Sequence, residues 1–230
     1  MDDEPPSTSD ASATTAETRF FTAATWNVNS VRARMGALTS FLKAEAPDVV
    51  CLQEIKVQKE AFPFSETAAL GYSALICAQK AYNGVAVLSK QKAQIVRNVL
   101  PKAPDNGEQA RFIDVVLPNG IRIVSVYVPN GEAPANAPLS TERLTYKIGW
   151  LHALADYAAD LAVKGEKFFL AGDFNVIDSA ANVYDFEKFK NSVFMRPEVR
   201  GAFRRFAYAG LTDAVRLYAR SEERRVGKEC

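Results

Sequence analysis

The sequence predicts an α/β fold in which two β-sheets pack as a sandwich and helices cover the outside. Segments 20–27 and 48–54 have the composition of strands and flank a helical pattern, which is the order of a β-α-β crossover unit. Five more strand-like runs follow one another between residues 72 and 127, which favours antiparallel neighbours beside that unit. Because 48% of the 230 residues are hydrophobic, the chain is able to build one large domain with its own core.

Apolar runs of strand length predict the strands of both sheets. In chain order they cover residues 20–27, 48–54, 72–77, 84–89, 93–100, 111–117, 121–127 and 168–171. Asn119 and Gly120 lie between the sixth and seventh runs, and an Asn-Gly pair in that setting predicts a tight hairpin. The last run contains only apolar residues, so we expect a buried strand there.

Helical patterns cover residues 31–45, 62–70, 141–163 and 197–209. The first follows Ser30 and stops before Pro47, and the second stops at Gly71. The third is long, and one stripe of it carries the apolar residues Leu144, Ile148, Leu151 and Leu154. The fourth begins with a proline in its first turn and ends at Gly210.

Net charge limits the kind of partner that the protein binds, and cysteine content indicates its cellular compartment. Residues 1–18 are acidic and rich in Ser, Thr, Ala and Pro, so we expect a disordered tail. The whole chain has a net charge of +1, but without that tail the charge is +6, which is compatible with a polyanion partner. Three cysteines give no disulfide framework, and no apolar run approaches the ~18 residues of a membrane span. We therefore expect a cytoplasmic protein that does not enter a membrane.

The stretch 168–177, FFLAGDFNVI, contains a predicted strand and the first candidate site residues. Its apolar run stops at Gly172, and Asp173 and Asn175 follow at the point where a sheet opens to solvent. Two residues apart in extended backbone, these side chains face the same side. A carboxylate beside an amide suits a hard cation or an attacking water. The alternative is that both residues only cap a turn.

Two other predicted strands end in the same way. The first strand runs into Asn27 and the second into Glu54, so each is followed at once by an oxygen-bearing side chain. In layered α/β folds, ligands gather at such strand ends. One shared oxygen-rich site explains Asn27, Glu54, Asp173 and Asn175 together, whereas turn capping requires three separate coincidences.

Five motifs in order, TWNVNSVRAR, DVVCLQEIK, YNGVAVLSK, YVPNGE and LAGDFNVI, extend the argument. Together they resemble the exonuclease III family, whose members are Mg-dependent DNA-repair nucleases of the endonuclease/exonuclease/phosphatase superfamily. The resemblance covers residues from about 20 to about 219. It implies a DNase I-like fold of four layers, and hydrolysis of phosphodiesters on the 5′ side of abasic sites with trimming of 3′ ends. The implied partner is double-stranded DNA with abasic or 3′-blocked ends, bound by a monomer.

The same resemblance implies roles for individual residues. Glu54 corresponds to the main Mg²⁺ (or Mn²⁺) ligand, with Asn27 beside it, and Asp173 and Asn175 complete the metal and catalytic set. Asp173 matches a residue that orients or deprotonates the attacking water or contacts the leaving oxygen, and Asn175 one that binds the scissile phosphate. Tyr127 matches a tyrosine that contacts that phosphate; read from its composition alone, it is an ordinary half-buried strand aromatic.

Six side chains that are able to donate hydrogen bonds are candidate contacts to the DNA backbone. They are Arg32, Arg34, Lys56, Asn83, Arg111 and Asn130. Contacts of this kind position a duplex and carry no sequence information. The alternative for each of these residues is that it lies on the surface and has no binding role. Asn130 departs from the resembled family, in which several members carry Gln.

Residues 220–230, RSEERRVGKEC, are identical to the in-frame translation of a common sequencing-adapter DNA. A charged helical tail is the alternative reading. We expect that the domain ends near residue 219 and is incomplete, because the family continues with a Trp-rich loop, a strand carrying Asp and a final Asp-His pair. The single histidine, His152, is expected to be a packing or surface residue of the long helix. Weak or absent activity and an exposed sheet edge would follow.

Two other functions remain open at this point. One keeps the superfamily but changes the substrate to another phosphoester, such as an inositol phosphate or a phospholipid. The other is a nucleic-acid-binding remnant without catalysis, whose binding would weaken with salt and would not depend on Glu54 or Asp173.

Overall fold

Two four-stranded sheets lie face to face in the computed structural model, which describes residues 21–133 and 140–218. The tail 1–18, which was predicted to be disordered, and the segment 220–230, which was predicted to be translated adapter, both lie outside the described residues. The strands of each sheet and the helices that cover them follow the predicted order. The fold is therefore the predicted sandwich, with differences at several element ends.

The first sheet contains β1 (Ala23–Asn27), β2 (Val49–Gln53), β3 (Ser73–Cys77) and β4 (Val85–Ser89). Its spatial order is β1-β2-β4-β3. Strand β1 pairs with β2 in parallel, as a crossover unit requires, and β4 pairs antiparallel with both of its neighbours. The carboxyl ends of β1 and β2 therefore meet at one edge of the sheet.

The second sheet contains β5 (Gln94–Arg97), β6 (Phe112–Val116), β7 (Arg122–Tyr127) and β8 (Phe168–Asp173), in that spatial order. Strands β5, β6 and β7 are antiparallel, and the predicted hairpin joins β6 to β7 through Gly120, whose φ is +81°. Strand β8 lies parallel to β7 with Tyr127 opposite Asp173. The carboxyl ends of these two strands also meet at one edge.

The helices are α1 (Met35–Ala44), α2 (Phe64–Ala69), α3 (Thr141–Val163), α4 (Phe186–Phe189), α5 (Pro197–Tyr208) and α6 (Ala214–Tyr218). Single 3₁₀ turns occur at Lys59–Ala61, Ala180–Asn182 and Val193–Met195. Helix α3 has the predicted bounds because the Ser140 hydroxyl accepts a hydrogen bond from the Arg143 backbone N–H, and Gly165 follows its last turn with φ +70°.

Side-chain alternation along the strands creates four layers. In β2, Val49 and Cys51 face the second sheet, whereas Val50 and Leu52 pack with the helix residue Leu38. Strands β6 and β7 alternate in the same way between the first sheet and α3, where Trp150, Leu151 and Leu154 are buried. The layers are therefore helix, sheet, sheet and helix. The neighbouring strands β2 and β4 are both buried on their two faces.

Two local predictions were wrong. The first helix begins at Met35 rather than at residue 31, because Asn29 and Ser30 have φ of 43° and 89°, and the chain turns before it becomes helical. The last strand is not buried throughout: only Ala171 is fully buried, since β7 is its one partner strand among the described residues. The apolar run predicted burial, but position at a sheet edge decides it.

We expect Gly172→Ala to destabilise the fold strongly. A Cβ at this position would lie 2.0 Å from the Val126 carbonyl oxygen of β7, and the residue has φ +149°. Overpacking and backbone strain together should cost about 3 kcal/mol, measured by urea unfolding. The control is Gly201→Ala in α5, where a Cβ meets nothing within 4 Å and helix propensity should add roughly 0.5–1 kcal/mol. Equal stability of the two variants would contradict the expectation.

Candidate active site

The carboxyl ends of β1, β2, β7 and β8 converge on one edge of the sandwich. Strands β1 and β2 belong to one sheet, and β7 and β8 to the other. Each pair is parallel, so Asn27 lies at the same level as the end of β2, and Tyr127 at the level of Asp173. The site is therefore built from both sheets, and the four oxygen-bearing residues predicted to cluster do lie together.

Asn27 bridges the two carboxylates of the site. Its Nδ2 donates to Glu54 Oε1 at 2.8 Å and to Asp173 Oδ2 at 2.9 Å. Its Oδ1 accepts a hydrogen bond from the Asn29 backbone N–H at 3.1 Å, which orients the amide. Because Glu54 follows β2 and Asp173 ends β8, this one amide connects both sheets at the site.

Glu54 is surrounded by donors. The Lys56 ammonium lies 2.7 Å from Glu54 Oε2 and also donates to Asn29 Oδ1 at 2.5 Å. Burial acts to raise the pKa of Glu54. Hydrogen bonds from Asn27, Lys56 and Tyr127 outweigh it, so the pKa of this carboxyl lies below its ordinary value. The carboxylate is ionised at neutral pH and accepts a cation.

Asp173 and Asn175 form a tight turn at the end of β8. The Asn175 backbone N–H donates to Asp173 Oδ1 at 3.0 Å, which is the capping arrangement considered above as the alternative. The Asn175 side chain does more than cap, since its Nδ2 donates to the Val128 carbonyl oxygen at 2.9 Å. Turn capping and site formation are thus both present in the same residues.

Tyr127 is held between a cation and the carboxylates. The Arg111 guanidinium carbon lies 4.7 Å from the centre of its ring, and Arg111 Nη1 donates to the Tyr127 carbonyl oxygen at 3.2 Å. Burial raises the pKa of the Tyr127 hydroxyl, and the charge of Glu54, to which it donates a hydrogen bond, raises it further. The phenol therefore stays protonated and acts as a donor.

Backbone strain concentrates around this edge. Asn29, Ser30, Glu54, Lys56, Asn83 and Asn175 all have positive φ although none is glycine. Such conformations cost about 1–3 kcal/mol each and persist where the surrounding structure enforces them, often at functional sites. Five of the six follow the ends of β1, β2 and β8 by one to three residues, and Asn83 is the exception. The strain marks the same edge as the side chains.

The six proposed DNA contacts divide into two sets. Arg32, Arg34 and Asn130 are exposed, the first two on the turn before α1. The others already bind protein groups: Lys56 binds Glu54, Arg111 Nε donates to Gln109, and Asn83 Nδ2 donates to Gln79 at 2.9 Å. The exposed set is available to a ligand, whereas the engaged set shapes the site. Contact of either set with DNA stays a prediction.

Sequence reasoning missed two features. Lys56 was predicted as a DNA contact, and its ion pair with Glu54 was not foreseen. Lys147, which is fully buried against the loop that follows β7, was not predicted at all. A signal for Lys147 was present, because it lies three residues after Leu144 and four before Leu151, on the apolar stripe of α3. His152 interacts electrostatically with Arg205 and Asp156, and burial lowers its pKa, as fits a packing residue.

The donor set fits a hard divalent cation. Two carboxylates and nearby amide oxygens are ligands that Mg²⁺ and Mn²⁺ accept while keeping several waters. Glu54 already accepts the positive charge of Lys56 at 2.7 Å. Within residues 21–133 and 140–218, no group of three His, Cys, Asp or Glu side chains is arranged to hold a metal. The fit therefore rests on two carboxylates with amide and water oxygens.

Comparison with known proteins assigns the chain to a family. Residues 24–220 match the Endonuclease/Exonuclease/phosphatase family. An exodeoxyribonuclease of Bacillus subtilis (strain 168) is 30% identical over 197 residues, which are 83% of this chain and 73% of that protein. Exodeoxyribonuclease III of Haemophilus influenzae is 32% identical over 161 residues, which are 69% of this chain and 58% of that protein.

Solved structures give the same result. An AP endonuclease from Archaeoglobus fulgidus has a TM-score of 0.79 and 29% identity, covering 89% of this chain and 76% of its own. The 3′ phosphatase NExo from Neisseria, bound to a product DNA hairpin, has a TM-score of 0.78 and 33% identity. The match covers 88% of this chain and 76% of the NExo chain. No helix in the described part of this chain has the length and apolar character needed to cross a membrane.

We expect Asn27→Asp to destabilise the chelator-treated protein above about pH 4. The change removes the donor shared by Glu54 and Asp173 and adds a third carboxylate beside them. Repulsion raises the folded-state pKa of a carboxyl above its unfolded value near 4, so stability falls as pH rises through that window, by about 1–3 kcal/mol. Thermal unfolding from pH 3 to 8 measures this.

The matched control is Asn98→Asp, which adds one carboxylate at an exposed position. Its stability should follow the wild type at every pH. Addition of Mg²⁺ should recover part of the Asn27→Asp loss, since a cation relieves the repulsion. A deficit that is independent of pH and Mg²⁺ would contradict the expectation.

Proposed function

The chain belongs to the Endonuclease/Exonuclease/phosphatase family of phosphodiester-hydrolysing enzymes, and from this premise we propose that it is a DNA-repair nuclease that acts with Mg²⁺ or Mn²⁺. It would incise the backbone on the 5′ side of abasic sites and trim 3′ ends. The observation that carries the proposal is the pair Glu54 and Asp173, held together by Asn27 where four strands end. Relatives named exodeoxyribonuclease and AP endonuclease support DNA as the substrate.

Glu54 would hold the cation, with Asn27 and Asn175 supplying amide oxygens and Asp173 a second carboxylate. A bound divalent cation neutralises charge on the scissile phosphate and on the leaving oxygen. The lowered pKa of Glu54 keeps this ligand ionised through the neutral range. Lys56, at 2.7 Å from Glu54, adds a second positive charge at the same place.

Asp173 would orient the attacking water and take up its proton, since it ends a paired strand and its Oδ1 and Oδ2 are each fixed by one hydrogen bond. Tyr127 would donate its hydroxyl hydrogen to a phosphate oxygen, because its raised pKa keeps it protonated. Asn175 would add a second donor from the turn after β8. Positioned donors of this kind stabilise the charge that develops on the phosphate.

The exposed Arg32, Arg34 and Asn130 would contact the phosphates that flank the cleaved bond. We propose a low rate for this chain. The histidine His152 interacts with Arg205 and Asp156, so Asp173 would serve as the base in this chain.

The test is nicking of a duplex that contains one abasic site. We expect slow nicking with Mg²⁺ and none with a chelator. Glu54→Gln and Asp173→Asn should each lower the single-turnover rate by about 100-fold or more, because each removes a charged group that acts at the phosphate. Denaturing gels with a 5′-labelled strand measure the rate and place the cut.

The control is Asp160→Asn, which changes an exposed carboxylate of α3 that pairs with Lys164. It should nick as the wild type does. Release of phosphate from inositol phosphates or phospholipids, without any cut in DNA, would show that the substrate is another phosphoester. Salt-sensitive DNA binding that Glu54→Gln and Asp173→Asn leave unchanged, with no cut, would reduce the chain to a binding protein.

A further inference from the structure

Lys147 is a buried basic residue that the proposed chemistry does not use. It lies on α3, and none of its side chain is exposed. Among the described residues, no carboxylate lies within 4 Å of its Nζ to form an ion pair. A buried ammonium without an ion pair costs several kcal/mol, roughly, and an apolar side chain of similar size would avoid that cost. A lysine at this buried position therefore points to a role in addition to core packing.

The lysine contacts the loop formed by residues 128–132, which follows β7. Its Nζ donates to the Pro129 carbonyl oxygen at 2.7 Å and lies 5.7 Å from the centre of the Phe194 ring. Gly131 packs directly on the aliphatic part of the side chain, since a Cβ there would lie 2.7 Å from Lys147 Cδ. The loop thus closes over the lysine from both the polar and the apolar side.

That loop is also attached to the site residues. The Val128 backbone N–H donates to the Asp173 carbonyl oxygen at 2.8 Å, and the Val128 carbonyl oxygen accepts from Asn175 Nδ2 at 2.9 Å. Tyr127 immediately precedes the loop. Lys147 therefore supports, from α3, the backbone to which the turn after β8 is bound.

The charges around Lys147 come from three other elements. Burial lowers the pKa of Lys147 to about 7, with Asp173 of β8 acting to raise it. Arg111, next to β6, lowers it and Glu132 of the loop raises it. A methionine in its place would avoid the free-energy cost of burying an ammonium group. It would also leave the buried Pro129 carbonyl without this donor.

We propose that Lys147 is a positioning residue of the site, which fixes the loop 128–132 through Pro129 and Gly131 and so sets Tyr127 and Asn175 around the scissile phosphate. Its effect on hydrolysis rests on the proposed function. Its effect on the loop does not, and the two are measured separately.

Two variants test the contact from opposite sides. Lys147→Met removes the donor and the charge, and Gly131→Ala adds a methyl group against the lysine. Hydrogen exchange in a peptide that covers residues 128–133 should become at least about tenfold faster in both, because loss of a supporting contact raises local opening. The kcat for abasic-site nicking should fall about tenfold with little change in KM, since positioning acts on the transition state.

Each variant has a matched control. Gly120→Ala has the same φ of +81° as Gly131 but meets nothing within 4 Å, so it isolates the lysine contact from backbone strain. Leu151→Met places a methionine one turn further along the same helix face, and should leave exchange in 128–133 and kcat unchanged. Lys147→Arg keeps a charged donor and should restore slow exchange and most of kcat.

Wild-type exchange in residues 128–133 in both Lys147→Met and Gly131→Ala would overturn the proposal. So would equal effects in the controls, or an arginine variant that behaves like the methionine variant. If the wild type does not nick DNA at all, the proposed function fails. The exchange measurements then decide the positioning claim alone.

Discussion

A single amide nitrogen holds the site together. Asn27 Nδ2 donates to carboxylates from two different sheets, at 2.8 Å and 2.9 Å. Two carboxylates that share one donor are close enough to repel each other strongly in a partly buried place. The donor offsets this repulsion, and Lys56 adds a positive charge on Glu54. This amide therefore connects the ends of the two sheets at the site and balances the charge of their carboxylates.

Backbone conformation provides the second constraint. The parallel β7–β8 pairing brings Gly172 so close to Val126 that no side chain fits between them. Directly after this contact the chain turns at Asp173 and Asn175, and the latter has φ 50°. Strained residues also follow β1 and β2 at the same edge. Packing of the strands supplies the energy that keeps these turns in place.

Charge below the site completes the arrangement. Arg111 stacks on Tyr127, and Lys147, whose pKa is lowered to about 7 by burial, supports the loop that follows it, so two basic side chains lie behind the candidate site. A phosphodiester brings negative charge to the carboxylates, which by themselves would repel it. Cations held by protein groups at fixed positions reduce that repulsion without needing to move when the substrate binds.

Patterns in the amino-acid sequence predicted the element order, the hairpin at Asn119 and Gly120, the bounds of α3 and the presence of polar side chains just past three strands. These features are local, since they depend on periodicity, turn chemistry and capping within a few residues. Only the folded chain shows that β7 is the single partner of β8 among the described strands, that Asn27 joins two carboxylates, and that the loop 128–132 covers Lys147. Each of these depends on contacts between residues far apart in the chain, about which a pattern within one segment carries no information.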